Sequence, residues 1–433
     1  GACPLAPHGQ ALDEASRAAV CEPVGDEAYG AGRCKKEGNR TMNTKRAWIV
    51  ALATILAGVS LALVQNKVAP CMELLQTTFS IDSATAGWLS SLFSLVGIII
   101  AIPAAIILNK LGPKKGGIIA LVCAIAGSLI GLFVPNITVL LASRVVEGMG
   151  VGLMSVIGPS IIAMWFPESK RGLPTSIWAA YQMCAQAIMF FLAGVLTLNF
   201  GWQGMWWFGL AFCVVALVFY VFCVKTPRPE ENYADVESDD VSIVEGVKSP
   251  FSWIMSLSTM LFCIGCFGFV NWIATYWASV PSIGESANMW VGYFSLGGVV
   301  AAVIIGAVLN HVKNRKLFGA IILVLYGIVS VFGMTLDNPT PLLVFVVVYA
   351  FVDAGFPCVL WTMTAQTVKK PELAGVALGV VSIGFNLGVL LGPPIVGAVV
   401  DAFGWTAAAW TICGCCIAAA VVLLPVKLYS AEG

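Results

Sequence analysis

Twelve separate runs of mostly apolar residues punctuate the chain, each about 18 to 28 residues long, enough to cross the ~30 Å hydrocarbon core of a bilayer as an α-helix. They begin near Ala47, Ala86, Gly117, Thr138, Pro174 and Trp202, and again near Ser252, Met289, Leu317, Pro341, Ala374 and Trp405. Inside lipid every backbone N–H and C=O needs an internal partner, so only helices and closed barrels can span. The runs lack the period-2 alternation of barrel strands, which leaves an all-α membrane protein. Composition agrees, with 11% charged residues against roughly 25% in soluble domains.

The position of the basic residues orients these spans. With the N-terminus inside, sixteen of them fall in cytoplasmic loops: Lys45, Arg46, Lys110, Lys114, Lys115, Lys170, Arg171, Lys225, Arg228, Lys248, Lys313, Arg315, Lys316, Lys369, Lys370 and Lys427. A single one, Lys67, falls outside. Positive loops stay in the cytoplasm, so both termini are expected there, in a multi-pass protein of the plasma (inner) membrane. Acidic and basic residues balance at 23 each, so net charge gives no reason to expect a nucleic-acid partner.

Four segments follow. Residues 1–41 are polar, carry both signs of charge and lack the apolar core of a signal peptide, so they read as a disordered extension ahead of Met42. Residues 42–224 hold six spans and 251–433 hold six more with a short cytoplasmic tail. Between them, 225–250 is rich in proline, serine and acid and reads as a cytoplasmic linker, a solvated spacer or a regulatory segment. Most of the fourteen cysteines lie within the apolar runs and are expected to behave as small hydrophobes.

The two halves repeat each other. At an offset of 201, Phe93-Ser94-Leu95 meets Phe294-Ser295-Leu296, Gly97 meets Gly298, Leu108-Asn109 meets Leu309-Asn310, and Lys114-Lys115 meets Arg315-Lys316. At an offset of 203, Phe200-Gly201-Trp202 meets Phe403-Gly404-Trp405. A nearly constant offset points to duplication. Each half has an even number of spans, so the copies enter the membrane in the same sense and relate by an axis along its normal, with a solute site expected between them.

These residues resemble the major facilitator superfamily over about Ala47 to Leu428. The loop after the second span, Ala105-Ile106-Ile107-Leu108-Asn109-Lys110-Leu111-Gly112-Pro113-Lys114-Lys115, is similar to the family's cytoplasmic loop signature, with Asn109 where an aspartate is usual. Arg144, Gly148 and Gly150 resemble its fourth-helix pattern. The run Gly388 to Gly397, with Pro393 and Pro394, resembles a glycine-proline pattern usual in the fifth helix of its exchangers, here in the eleventh. The fifth helix lacks a copy, so drug antiport is not implied. The resemblance implies two six-helix bundles rocking about a central cavity, with Asn109, Lys110, Gly112, Lys114, Lys115, Asn310, Arg315 and Lys316 in the gating loops; at Asn109 the lysines are expected to contact helix ends and lipid phosphates.

Within the spans three formal charges stand: Arg144, Glu147 and Asp353. Each is costly in lipid and therefore expected to face protein or water. Arg144 and Glu147, three apart on one helix, either form an internal ion pair or serve substrate binding and coupling. Asp353 has no base within a turn; burial without a partner favours a neutral acid, which suits a proton carrier, although it could instead bond backbone freed by Pro357. The end of the first helix, Asn66-Lys67, is similar to the acid-base pair of the superfamily's organic-anion symporters. Lys67 either reaches the cavity or contacts headgroups. Gln182, Gln186, Asn271, Trp272, Tyr276 and Asn386 complete the cavity candidates, with packing as the alternative for the aromatic pair.

The expected function is alternating-access secondary transport of a small solute, a small organic or inorganic anion, driven by a proton or counter-solute gradient. A nucleotide-binding G-x-x-x-x-G-K-[ST] loop is absent from the sequence, so ATP is not the direct driver. The alternative is an exporter of amphipathic compounds. A non-transporting receptor or intramembrane enzyme is the reading from other classes, the enzyme lacking motifs such as H-E-x-x-H. No cofactor, metal or nucleic acid is expected; the partners are solute, proton and membrane lipid, and the protein is expected to act as a monomer.

Overall fold

The computed structural model describes residues 44–134, 136–167, 170–225, 227, 232–233, 247–309, 311–312, 314–368 and 373–429. The extension 1–41, most of the linker, Asn310 and the side chain of Asn109 lie outside the described residues. Twelve long helices run through the rest. The first half comprises α1 (Thr44–Asn66), α2 (83–111), α3 (113–132), α4 (Ile137–Trp165), α5 (Gly172–Phe200) and α6 (Gln203–Cys223). The second comprises α7 (Pro250–Ser279), α8 (Ala287–Leu309), α9 (Arg315–Gly333), α10 (Leu342–Thr364), α11 (374–403) and α12 (405–423). A short helix, Met72–Phe79, lies between α1 and α2.

Local chemistry sets the boundaries. Asp82, Asn136 and Asn314 cap α2, α4 and α9 by accepting the N–H of Thr85, Val139 and Leu317. Pro70 has no N–H to offer the carbonyl of Asn66, and α1 stops at Asn66. Three of the turns hinge on a glycine with positive φ and near-extended ψ: Gly112 (78°, 168°), Gly201 (63°, −165°) and Gly404 (81°, 176°). Gly201 and Gly404 are the matched glycines of the sequence repeat, so the duplication persists as backbone geometry. A side chain is strained in that region.

In lipid, apolar side chains gain little by leaving the hydrocarbon, so helices associate through close packing and hydrogen bonds. The glycine-proline run of α11 works on two sides. Within the second half, Gly384, Gly388 and Gly392 lie against the carbonyls of Ser256, Met260 and Ile264 of α7, where any Cβ would strike backbone. Toward the first half, Pro393 and Pro394 sit against Gly87 of α2, and Gly397 against Ser83. Gly388 and Gly392 thus bind α11 to its own bundle, while Pro393, Pro394 and Gly397 meet the first half.

The contacts joining the halves cluster at the end opposite the lysine-bearing loops. Asp401, near the end of α11, accepts both the N–H (2.8 Å) and the hydroxyl (2.6 Å) of Ser83 at the start of α2. Asn288 donates to the carbonyl of Pro70 (3.1 Å), and Ser90 bonds Asn271. Phe191 of α5 packs on Tyr293 of α8 and closes over Gly292. Toward mid-span the seam continues through Gly97 against Asn386 and Met183 against Gly298.

Candidate functional site

Among the described residues four ionic groups, rather than three, occupy the membrane interior. Lys67 follows the last residue of α1, yet its side chain is fully buried and its ammonium meets Glu147 of α4 at 2.5 Å. It also donates to Ser128 of α3 (3.2 Å) and stands 4.3 Å from the centre of the Trp206 ring of α6. An exposed outer-loop position with headgroup contacts is therefore corrected. Ion pairing, a hydroxyl and an aromatic face together replace the water this ammonium loses.

Glu147 is the hub. Its Oε1 takes Lys67 and Ser128 (2.8 Å), and its Oε2 takes Arg144, three residues earlier on the same face of α4. Arg144 spends its remaining donors on backbone: the carbonyls of Val64 (2.9 Å) and Gln65 (3.0 Å) in the last turn of α1, and of Leu89 (3.1 Å) in α2. Those two α1 carbonyls lack intrahelical partners, and the negative end of the helix dipole favours a cation there. The structure thus pairs Arg144 with Glu147, as their spacing allows, and adds α1, α2, α3 and α6 around them.

Above this cluster the polar side chains become accessible. Gln65 accepts from Gln182 of α5 (3.2 Å), which also donates to Tyr181 (3.3 Å); Gln186 lies one turn along and is partly exposed. Asn386 of α11 donates to Ser382 (2.9 Å), with its amide oxygen opposite Gly97. Asn271 is buried between Ser90 and its own helix. Trp272 and Tyr276 stand elsewhere. The Trp272 indole is buried, donating to the carbonyl of Pro393 (2.8 Å) within α11, and Tyr276 reaches the carbonyl of Leu336 (3.3 Å) just past α9, so both serve packing around α7.

Asp353 belongs to a separate cluster inside the second half. Its carboxylate accepts the thiol of Cys266 of α7 (3.5 Å), one turn from Tyr349, whose hydroxyl meets that of Tyr326. Backbone freed by Pro357 is not the partner found. A thiol is a weak donor, and no cation among the described residues pairs with the acid. At the basic end, Lys316 donates to the carbonyl of Val426 (3.3 Å), just past α12; Lys110 and Lys115 are exposed, while Gly112, Lys114 and Arg315 are partly buried.

Comparisons with known proteins place this arrangement. The sequence profile of the Major Facilitator Superfamily matches residues 50–377 and 280–430. The probable galactarate/D-glucarate transporter GudP of Bacillus subtilis is 25% identical over 76% of this chain and 80% of its own length. The 2-nitroimidazole transporter of Escherichia coli is 22% identical over 84% and 91%, and the lincomycin resistance protein LmrB of B. subtilis 25% over 60% and 48%. Among solved structures, an inward-facing bacterial homolog of the human lysosomal transporter Spinster matches with a TM-score of 0.72 at 15% identity, covering 89% of this chain and 96% of that one. The human organic anion transporter MFSD10 matches at 0.62 and 15%, over 87% and 99%. With twelve helices in two repeated halves and a family profile spanning both, this chain belongs to the Major Facilitator Superfamily and is one of its secondary transporters.

Proposed function

We propose that the protein carries a small hydroxylated carboxylate and couples its movement to protons through Asp353. One observation carries the substrate class: Lys67 and Arg144 share a single carboxylate, Glu147. When all three are ionised the cluster holds one unbalanced positive charge, in a buried site where salt screens it weakly. Gln65, Gln182, Gln186 and Asn386 offer amides that suit hydroxyl groups beside that charge. The name of the B. subtilis relative, which pairs galactarate with D-glucarate, supports a hydroxylated dicarboxylate.

Orientation follows from the sixteen loop bases, which assign the basic end to the cytoplasm. The seam from Asp401 to Asn386 then closes the outer side, and the solute site communicates with the cytoplasm. A second reading rests on the ring series Phe267, Phe385 and Trp361, with centroids 5.9 and 6.2 Å apart. An apolar wall of this kind favours an amphipathic neutral cargo, as the names of the nitroimidazole and lincomycin relatives suggest.

Uptake into proteoliposomes of radiolabelled D-glucarate, 2-nitroimidazole and lincomycin separates the two. The expected result is glucarate accumulation stimulated by external acid, with at least about tenfold weaker half-saturation in Gln182→Ala or Arg144→Gln. Uptake of the neutral compounds without glucarate would replace the carboxylate reading. In the same vesicles Asp353→Asn is expected to abolish acid-driven accumulation while glucarate exchange persists. Full acid-driven accumulation in that variant would remove Asp353 from the coupling path.

A further inference from the structure

A second cationic site lies far from the seam. At the basic end of the second half, a cavity of about 710 Å³ opens between the starts of α7 and α9 and the segment that follows α12. Its size falls in the roughly 300–1,000 Å³ range of small-molecule sites. Arg315, Lys316 and Lys427 line it with Asn314, Gln366 and Tyr429, and no acidic side chain is among the described lining residues.

The polar groups around it are arranged for an anion. Asn314 caps α9 through the N–H of Leu317, so Arg315 and Lys316 occupy the first turn at the positive end of the helix dipole. Cations at that end repel the dipole, which an anion bound between them relieves. Lys316 is held toward the cavity by its bond to the carbonyl of Val426, the residue before Lys427.

The surface below is apolar and exposed. Leu317, Ile321, Leu325, Ile328 and Phe332 form one stripe down α9, each between 42% and 54% exposed. The cavity therefore stands where a bilayer's phosphates end and its acyl chains begin, with the apolar stripe starting at Leu317 beside it.

From this juxtaposition we infer that the cavity lined by Arg315, Lys316 and Lys427 binds the phosphate headgroup of an anionic phospholipid, whose acyl chain lies along the exposed stripe of α9. Basic pockets at the ends of spanning helices suit such headgroups. A free phosphate would satisfy the cations alone; the exposed apolar stripe that starts at Leu317, next to Lys316, favours the lipid.

Thermal unfolding of the purified full chain in neutral detergent tests the site, because a ligand of the folded state raises the midpoint. Added phosphatidylglycerol is expected to raise it, phosphatidylcholine much less, and millimolar glycerol phosphate or inorganic phosphate scarcely at all. Arg315→Gln/Lys427→Gln should lose at least half of the phosphatidylglycerol shift, whereas Lys45→Gln/Lys225→Gln, removing equal charge at the basic end of the first half, should keep it. Native mass spectrometry of Lys427→Gln alone, a change to an exposed side chain, should show fewer retained phosphatidylglycerol molecules. An undiminished shift and undiminished retention in the cavity variants would overturn the site. An equal shift with the soluble phosphates would overturn the lipid as its occupant.

Discussion

Glu147 holds together groups that would otherwise repel. Lys67 and Arg144 converge on its two oxygens, and all three side chains are buried, so each charge depends on the others for the solvation that water no longer supplies. Removing the acid leaves two cations adjacent in a poorly screened space. Removing Lys67 leaves Arg144, Ser128 and the carboxylate still bonded. Glu147→Gln should therefore destabilise by about 3–5 kcal/mol, the usual cost of breaking a buried pair, and Lys67→Met by less. Adding Lys67→Met to Glu147→Gln should recover part of that loss, which midpoints of thermal unfolding in detergent will show. A double variant less stable than Glu147→Gln would contradict mutual dependence. The Arg144–Glu147 half of this cluster is legible in sequence, because i, i+3 spacing places both on one face. Lys67 is not, since a lysine after a helix end looks like an outer-loop residue. Its partners Ser128, Glu147 and Trp206 come from three other helices. Two hints stand in the sequence: it is the sole exception to the charge asymmetry of the loops, and Asn66-Lys67 resembles the acid-base pair of the superfamily's organic-anion symporters.

Among the helices, one turn repeats between the halves. Gly201 and Gly404 adopt the same positive-φ, extended-ψ conformation before the last helix of their halves, and Gly112 adopts it between α2 and α3. Gly404 has open space where a Cβ would go, so strain there is purely of the backbone. Gly404→Ala should cost about 1–3 kcal/mol, the range for such conformations. Gly414→Ala, in the helical interior of α12 with equally open surroundings, should be neutral or stabilise by up to ~1 kcal/mol. Equal midpoints for the two variants in thermal unfolding would show that the turn at Gly404 relaxes. At this scale the sequence is most informative: apolar length fixes the spans, and polar caps such as Asn136 fix where they start. The two faces of α11 are less visible. A glycine-proline run announces close approach, but which glycine meets α7 and which face meets α2 depends on helix rotation, set by packing.

Across the whole molecule, the bonds that join the halves lie between residues up to 318 positions apart, which is why no local pattern reveals them. Asp401 is the clearest case. By accepting the first N–H of α2 together with the Ser83 hydroxyl, it supplies from the second half a cap that α2 shares with its own Asp82. Hydrogen bonds from Thr85 hold the Asp82 carboxyl below its usual pKa, so that local cap is present at neutral pH and lost only as pH falls through the lowered value. The helix therefore keeps one cap when the halves part, and the bond to Asp401 becomes a latch that can open without unravelling α2. Rocking requires two states of similar energy, so a latch present in one of them shifts their populations by its full contribution. A carboxylate accepting two hydrogen bonds at a half-exposed seam contributes about 1.5–3 kcal/mol, enough to change a population ratio roughly tenfold or more. Spin labels at exposed Thr77, beside the latch on the first half, and at Phe403, at the end of α11, will report the separation of the two bundles there. Asp401→Ala should enlarge the long-distance population severalfold, while Asp82→Ala should lower the unfolding midpoint by weakening α2 and leave that distance distribution largely intact. An unchanged distribution in Asp401→Ala would mean that the backbone contacts of Gly87 with Pro393 and of Gly397 with Ser83 hold the seam closed without the carboxylate.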